Sequence, residues 1–249
     1  MLELTPRRID LWHLPTDAVA DATTRIACRQ LLSPDEIQRE QRFTHEQARR
    51  QFVAGRTLLR TVLSQYTGVD PGRLAFRSNA YGKPSLISPS DPPLEFNLSH
   101  TRGLAVCVVA QNDPVGVDVE GGRPRSAPLE LADRFFATAE AAWLAQQPAA
   151  RQPAAFLELW TLKESFIKAL GVGLAMRLAD FSFSLADDGT TTVSFVRSDL
   201  GQPDQWQFAR LRLDSRFQVA IAIRRPASER SEVVARGLDA ILRPWTSRR

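Results

Sequence analysis

Two helical segments in different halves of the chain share a pattern and end at the same kind of residue. The segments that begin Phe52-Val-Ala-Gly-Arg-Thr-Leu-Leu and Phe156-Leu-Glu-Leu-Trp-Thr-Leu-Lys start 104 residues apart. Each has apolar residues at helical spacing and stops at a glycine, Gly68 or Gly171, because glycine adopts the positive φ that ends many helices. A similarity of this kind arises from internal duplication or by chance, and the residues alone leave both explanations open.

Short β-prone segments accompany these helices and predict a mixed α and β protein. Leu104–Ala110 is a continuous apolar run, as expected for a buried strand. Ser33 followed by Pro34 predicts a helix start, and 129–144 has a helical pattern. The remaining predicted strands are Ile9–Leu14, Val115–Glu120, Asp180–Leu185, Thr191–Val196, Trp206–Leu213 and Phe217–Ile223.

Composition narrows the class of protein. Hydrophobic residues make up 43% and charged residues 24%, which is typical of a globular protein and too apolar for a disordered one. Cys28 and Cys107 are the only cysteines, which excludes a disulfide scaffold. No signal-peptide pattern and no apolar run of about 20 residues is present, so we expect a cytoplasmic, soluble protein with no membrane partner.

The positive charge is unevenly distributed. Of the 32 basic residues 29 are arginine, and the formal net charge is +4. From Arg224 to Arg249 there are seven cations and three anions, so this tail holds the whole excess. A nucleic-acid binder concentrates basic charge on its folded body, so no nucleic-acid partner is expected.

The segment Val115-Gly-Val-Asp-Val-Glu120 is the strongest chemical signal. Alternation in a strand places the valines on one face and Asp118 and Glu120 on the other, about 7 Å apart. Two such carboxylates can bind Mg²⁺, which prefers oxygen ligands and leaves positions for phosphates. A solvated strand face explains the same residues.

The segment Trp160-Thr-Leu-Lys-Glu-Ser-Phe-Ile-Lys168 is the second signal. Glu164 and Lys168 lie one helical turn apart, which by itself is an ordinary ion pair. The segment nevertheless contains two of the three lysines of the chain, Lys163 and Lys168. A compact ammonium suits a phosphate clamp, so binding of phosphate is the competing interpretation.

Two further polar segments lie upstream. Phe96-Asn-Leu-Ser-His-Thr101 places Ser99 and His100 at a predicted strand edge, where they serve as structural residues or contact a polar ligand. Tyr81-Gly-Lys-Pro84 is a predicted turn that contains Lys83, the third lysine.

Taken in chain order, the segments resemble the Sfp-type 4′-phosphopantetheinyl transferases. The ordered set is Tyr81-Gly-Lys-Pro84, Phe96-Asn-Leu-Ser-His, Val115-Gly-Val-Asp-Val-Glu120, Arg134-Phe-Phe with Glu140, and the segment Trp160 to Lys168. The resemblance extends from about residue 33 to residue 185. The resemblance implies an α+β (α/β) fold, a pseudo-dimer of two similar modules that each pack a small antiparallel sheet against a long helix. The expected divisions are an N-terminal module 1–112, a C-terminal module 113–225 and a peripheral basic tail 226–249. Internal duplication then becomes the expected explanation of the similarity between the two helical segments.

The resemblance also implies an activity. Enzymes of this family transfer the 4′-phosphopantetheine arm of coenzyme A to a serine of an apo acyl or peptidyl carrier protein, release 3′,5′-ADP and require Mg²⁺. A monomer is expected. Another Mg²⁺-dependent phosphoryl or nucleotidyl enzyme, and a non-catalytic coenzyme A-binding or carrier-binding module, are the competing hypotheses.

Residue roles are implied by the same resemblance. The implied Mg²⁺ ligands are Asp118, Glu120 and Glu164, and the implied catalytic residues are Glu164 and Lys168. The implied coenzyme A contacts are Arg50, Lys83, Ser99, His100, Lys163 and Lys168.

Overall fold

The chain divides into two compact units, each with its own hydrophobic core. The computed structural model describes residues 1–88, 92–122, 124, 127–186 and 188–238. The first unit contains Met1–Asn79, Pro84–Asn112 and the segment that begins at Glu232. The second unit contains Ala80–Lys83 and Asp113–Ser231.

The first unit is a four-stranded sheet with a long helix against it. Its helices are α1 (Ala22–Arg29), α2 (Pro34–Gln41) and α3 (Glu46–Thr67). Its strands are β1 (Arg8–Pro15), β2 (Phe76–Ser78), β3 (Pro84–Leu86), β4 (Leu94–Thr101), β5 (Leu104–Gln111) and β11 (Glu232–Gly237). The sheet order is β11-β1-β5-β4, in which β5 is antiparallel to both neighbours and β11 is parallel to β1. Strands β2 and β3 form a separate hairpin.

The second unit has a three-stranded antiparallel sheet. Its helices are α4 (Pro128–Phe135), α5 (Thr138–Ala145) and α6 (Gln152–Leu170). Its strands are β6 (Val115–Gly121), β7 (Phe181–Leu185), β8 (Thr191–Phe195), β9 (Trp206–Leu213) and β10 (Phe217–Arg224). The sheet order is β6-β10-β9, and β7 and β8 form a separate hairpin.

The two units repeat one order of elements. In each unit the chain forms one strand, three helices, a two-stranded hairpin and two more strands. In each sheet the last strand of this run lies in the middle, as β1-β5-β4 and as β6-β10-β9. The repeat confirms the expected pseudo-dimer of two similar α+β modules, and β11 is an addition to the first sheet.

The long helices end where the glycines predict. Gly68 follows α3 with φ 68° and Gly171 follows α6 with φ 69°, both in the left-handed region that favours glycine. Strand β5 is buried from Leu104 to Ala110, which confirms its predicted place in the core. No helix in the described part of the chain is long and apolar enough to cross a membrane.

Two segments differ from the sequence-based expectation. The predicted helix over 129–144 is two helices, α4 and α5, because the Glu140 carboxylate accepts the backbone N–H of Ala137 and starts a new helix there. The tail expected to be peripheral supplies β11, which pairs with β1 through the register Asp10 with Val234. The part of this tail after residue 238 lies outside the described residues.

Candidate active site

Strand β6 presents its two acidic residues on the face that packs against α6. A Cβ on Gly116 would overlap the carbonyl oxygen of Ser165 and the amide nitrogen of Ala169, so the helix backbone lies directly on this strand. Side chains two residues apart share a strand face, which places Asp118 and Glu120 on the face of Gly116. The predicted alternation is present, but α6 covers the acidic face at Asp118, which is only 4% exposed.

Helix α6 adds a second carboxylate and an ammonium beside Asp118. The Nζ of Lys168 donates to Oδ1 of Asp118 at 2.5 Å. Burial raises the pKa of Glu164, the negative charge of Asp118 raises it further, and Lys168 offsets part of this effect. The structure therefore brings together three of the predicted site residues, on two elements that are held in contact by a glycine.

The charge balance of these three side chains suits a divalent cation. Two carboxylates accompany one ammonium, and burial and then the negative charge of Asp118 raise the pKa of Glu164. A cation bound by the two carboxylates would favour their ionised forms. Mg²⁺ in phosphate-handling sites commonly uses only one or two protein carboxylates, with substrate phosphates completing its shell. The donor set at Asp118 and Glu164 therefore fits the metal that the resemblance implies.

Glu120 lies two residues after Asp118, on the same face of β6. It is opposite Gln218 of β10, whereas Asp118 is opposite Ala220. In the part of the chain that the structure describes, no three Asp, Glu, His or Cys side chains are arranged as a ready-made metal-binding group. The role of Glu120 as a third ligand stays a prediction.

Lys163 is a core residue of the second unit and corrects one prediction. Its side chain is 0% exposed and its ammonium pairs with Glu140 at 2.7 Å. The Nζ also donates to the carbonyl oxygens of Leu178 at 2.7 Å and Phe181 at 2.8 Å. An ammonium has three N–H donors, so these contacts occupy all of them. The prediction that Lys163 contacts coenzyme A is wrong, because the group is buried and fully bonded on the protein side.

Lys83 lies in the turn 80–83, which belongs to the second unit. Its Nζ donates to the carbonyl oxygens of Ala169 at 2.9 Å and Val115 at 3.2 Å. Ala169 lies in the last turn of α6, where carbonyl groups lack helical partners and carry partial negative charge. Lys83 thereby joins the end of α6 to the start of β6. A contact between Lys83 and coenzyme A stays a prediction.

The other implied coenzyme A contacts lie in the first unit. On β4, Ser99 is buried and the adjacent His100 is exposed. A Cβ on Gly55 of α3 would lie 3.7 Å from Cδ2 of His100, so this histidine is beside the long helix. Arg50, near the start of α3, donates from Nε to Glu46 at 3.1 Å. Contacts from Arg50, Ser99 and His100 to coenzyme A stay predictions.

Sequence reasoning missed the structural roles of Gly116 and Glu140. A glycine inside a valine-rich strand is a signal of close backbone approach, and Gly116 has that signal. Glu140 occupies the third position of α5, where acidic residues often cap a helix, so its cap was predictable from sequence. Its pairing with Lys163 was not predictable, because the two residues are 23 positions apart and lie on different helices, α5 and α6.

Two family models match the chain over adjacent ranges. A model described as 4′-phosphopantetheinyl transferase superfamily matches residues 114–222. A model described as 4′-phosphopantetheinyl transferase, N-terminal, matches residues 20–113.

Curated relatives extend across both ranges. The 4′-phosphopantetheinyl transferase HetI of Nostoc sp. is 38% identical over 175 residues, which cover 70% of this chain and 73% of that protein. The 4′-phosphopantetheinyl transferase Sfp of Bacillus subtilis is 35% identical over 167 residues, which cover 67% of this chain and 72% of that protein. A solved structure, the holo-[acyl-carrier-protein] synthase of Thermotoga maritima, matches with a TM-score of 0.36 at 25% identity, over 45% of this chain and 63% of that one.

Proposed function

This chain belongs to the Sfp-type 4′-phosphopantetheinyl transferases, and from that premise we propose how its own residues carry out the reaction. The protein is an enzyme that transfers phosphopantetheine from coenzyme A to a carrier protein. The observation that supports the assignment to residues is the association of Asp118, Glu164 and Lys168, which lies within the range 114–222 that the superfamily model matches.

The reaction is an in-line displacement at phosphorus. The hydroxyl oxygen of a carrier serine forms a bond to the β-phosphorus of coenzyme A, and the bond from that phosphorus to the bridging pyrophosphate oxygen breaks. The 3′,5′-ADP leaves with the electron pair of that bond, and the serine gives its proton to a base. Negative charge builds up on the pyrophosphate oxygens, so the protein needs positive charge and a proton acceptor at this point.

Asp118 and Glu164, with Glu120 as a third ligand, would hold Mg²⁺. When bound, the metal supplies positive charge to the pyrophosphate oxygens during the displacement. Asp118 lies on β6, which pairs with β10 and packs against α6, and its carboxylate is nearly buried. A buried carboxylate has few alternative orientations, so it keeps its oxygens directed to one place before substrate arrives.

Lys168 is the residue assigned to the pyrophosphate. Its side chain is 28% exposed and its ammonium donates to Asp118. An ammonium has three donors, so donation to Asp118 is compatible with donation to a phosphate oxygen. The positive charge placed there favours the transition state, in which the leaving group carries more negative charge than in the substrate.

Glu164 is the residue assigned as proton acceptor. A catalytic base works best when its pKa lies near the working pH, and burial together with Asp118 shifts the pKa of Glu164 in that direction. A serine hydroxyl needs such a base because it is a weak nucleophile while protonated.

The remaining assignments belong to the same proposal. Coenzyme A contacts are proposed for Arg50, Ser99 and His100, and for Lys83. The acceptor is proposed to be an apo acyl or peptidyl carrier protein, and the enzyme a cytoplasmic monomer with modules divided between residues 112 and 113.

The test is a transfer assay read by mass. Purified protein is incubated with coenzyme A, Mg²⁺ and several apo carrier proteins, and each carrier is weighed by mass spectrometry. We expect a gain of one phosphopantetheine on at least one carrier and loss of that gain when a chelator removes the metal. No gain on any carrier would contradict the function.

A matched pair of aspartate variants tests the residue assignment. Asp118→Ala is expected to lower kcat by at least roughly a hundredfold, or about 2.7 kcal/mol of transition-state stabilisation. Asp133→Ala, at an exposed position of α4, is expected to retain activity within about twofold. Equal rates for the two variants would overturn the assignment of Asp118.

A further inference from the structure

The buried lysine of α6 belongs to a group that we name the lysine cluster. It consists of Lys163, Glu140 and the carbonyl groups of Leu178 and Phe181. The Nζ also lies 4.4 Å from the centre of the Phe181 ring. The cluster joins three parts of the second unit: α6, the first turn of α5, and the segment that leads into β7. None of its members touches the reacting groups in the proposed mechanism.

The first unit contains a matching group, the arginine cluster. The Nε of Arg60 donates to Glu36 at 2.6 Å, and Nη1 donates to the carbonyl oxygens of Pro71 at 2.7 Å and Leu74 at 3.0 Å. The guanidinium lies 5.2 Å from the centre of the Phe76 ring, and Arg60 is 2% exposed. A buried cation thus meets one carboxylate, two carbonyls and an aromatic face in both units.

The two clusters occupy equivalent places in the repeated fold. Arg60 precedes the last residue of α3, Thr67, by seven positions, and Lys163 precedes the last residue of α6, Leu170, by the same seven. Glu36 is the third residue of α2 and Glu140 is the third residue of α5, and each carboxylate also accepts a backbone N–H at the start of its helix. The structural role is therefore common to both units.

The residue after the buried cation differs between the units. Arg60 is followed by Thr61, a buried residue of the first core. Lys163 is followed by Glu164, whose pKa responds to Asp118 and Lys168. Only the lysine cluster is therefore one residue away from the proposed reaction centre, and the arginine cluster is an internal control of the same design.

We propose that Lys163 and Glu140 are positioning residues of the transferase, which set the rotation of α6 and thereby hold Glu164 against Asp118. This proposal rests on the proposed function. Neither residue touches the reacting groups, since both are at most 1% exposed and bonded to protein atoms. They act on the reaction through the backbone of α6.

The position of the Glu164 carboxylate depends on the rotation of α6 about its own axis. Consecutive residues of a helix point about 100° apart, so Lys163 and Glu164 project to different sides of α6. On one side, Gly116 fixes the approach of α6 to β6. On the other side, the three bonds of Lys163 prevent α6 from rolling over that contact. A rotation would move the carboxylate of Glu164 relative to Asp118, and a misplacement of about 1 Å can lower a rate about a hundredfold.

Stability alone gives little reason for a buried ion pair at this position. Desolvation of the two charges offsets much of their attraction, and replacement of both partners by well-packed apolar side chains of similar volume is often close to neutral for stability. The ion pair has a clearer effect on the orientation of α6 than on stability. Three directional hydrogen bonds restrict the rotation of a helix more tightly than apolar packing does.

The test compares two double variants in the full-length protein. Glu140→Gln with Lys163→Met removes both charges of the lysine cluster. Glu36→Gln with Arg60→Met removes the corresponding two charges of the arginine cluster, where Arg56 also pairs with Glu36 at 3.2 Å and is left unchanged. Three quantities are measured for each: the melting temperature, the kcat for transfer to a carrier, and the affinity for Mn²⁺ in the presence of coenzyme A, followed by electron paramagnetic resonance.

We expect similar melting temperatures for the two double variants but different functional results. The lysine-cluster variant is expected to lower both kcat and Mn²⁺ affinity by at least roughly tenfold, and the arginine-cluster variant to retain both within about twofold. Equal functional results for the two variants, whether both lose or both retain, would overturn the proposal. If the lysine-cluster variant does not fold, Glu140→Gln alone replaces it, because glutamine at the third position also caps a helix.

The assay separates this proposal from the one on which it rests. If the wild-type protein transfers nothing to any carrier, the proposed function fails, and the Mn²⁺ affinities still decide whether the lysine cluster positions the carboxylates. If the wild-type protein transfers normally and the two double variants behave alike, only the positioning role fails.

Discussion

Glu164 is half-buried and lies near the negatively charged Asp118. Burial opposes its ionisation, and so does the charge of Asp118. Its ordinary pKa is 4.5, and its pKa in the folded protein is higher. The folded state therefore holds this proton more tightly than the unfolded chain does. As pH rises from the ordinary value through the raised one, ionisation of Glu164 costs the folded state free energy, so the free energy of unfolding decreases over that window.

Substitution of Glu164 is accordingly expected to separate stability from activity. Glu164→Gln keeps the shape but cannot ionise, so we expect a higher melting temperature than wild type at pH 7 and a smaller difference at pH 4. The same change is expected to lower kcat roughly 10²- to 10⁴-fold, because the proposed proton acceptor is lost. Thermal unfolding at the two pH values and the mass-read transfer assay measure the two effects.

The control for this prediction lies on the same helix. Glu158 of α6 pairs with Arg210 at 3.4 Å and is outside the site. Glu158→Gln is expected to retain kcat within about threefold and to give no stability gain at pH 7. A stability gain for Glu164→Gln that is as large at pH 4 as at pH 7 would contradict the burial argument.

Single residues also show how far sequence reasoning reaches. Asp118, Glu164 and Lys168 were predicted from strand alternation, helical spacing and family resemblance, and the structure brings them together. Lys163 was assigned a ligand because it lies in the same motif, yet it is in the core. Neighbours on a helix point about 100° apart, so adjacency in sequence does not place two side chains in one site.

At the scale of elements, the contact between β6 and α6 decides whether the site exists. Gly116 leaves no room for a side chain between the strand and the backbone of α6 at Ser165 and Ala169. Asp118, two residues on, therefore lies close enough to α6 to meet Lys168. The glycine sets the distance between the two elements that carry the charged groups.

A glycine-to-alanine pair tests this contact. Gly116→Ala would force a Cβ into the helix backbone, so we expect a loss of about 1–3 kcal/mol in the free energy of unfolding and a large loss of transfer. Gly55→Ala is the control, because its Cβ would meet only ordinary contacts at 3.5 Å and 3.7 Å. That change is expected to stabilise α3 by about 0.5–1 kcal/mol. Urea unfolding measures both, and a stable, active Gly116→Ala variant would contradict the proposed contact.

At the scale of the whole molecule, the end of the chain completes the first unit. Strand β11 pairs in parallel with β1, the backbone N–H of Leu238 donates to the carbonyl of His13, and Leu238 is 0% exposed. Arg236 of β11 also approaches the buried carboxylate of Asp10 at 3.7 Å. A strand from the C-terminal part of the sequence is therefore part of the N-terminal core.

Removal of this strand is expected to destabilise the protein. A chain shortened to end at Ser231 exposes one edge of β1 and removes the buried Leu238, a loss of about 2–5 kcal/mol for a core residue of this type. We expect the melting temperature to fall by roughly 5–15 °C. Circular dichroism during heating measures it, and the variant Glu232→Ala, at an exposed position, is expected to unfold within about 2 °C of wild type. An unchanged melting temperature in the shortened chain would contradict the role of β11.

The sequence by itself determined the local features of this protein. Apolar spacing and the closing glycines fixed the long helices, alternation identified β6, and the ordered motifs identified the family. These features depend on residues within a few positions of one another, where backbone preference and periodicity suffice.

Only the tertiary structure decided which distant groups meet. The ammonium of Lys163 pairs with Glu140, that of Lys83 with carbonyls of Val115 and Ala169, and β11 pairs with β1. The three lysines carry the same charge, yet Lys163 is in the core, Lys83 binds carbonyl groups at the end of α6, and Lys168 pairs with Asp118. Burial and the acceptor oxygens within reach of each ammonium set these roles, and both depend on contacts between residues far apart in sequence.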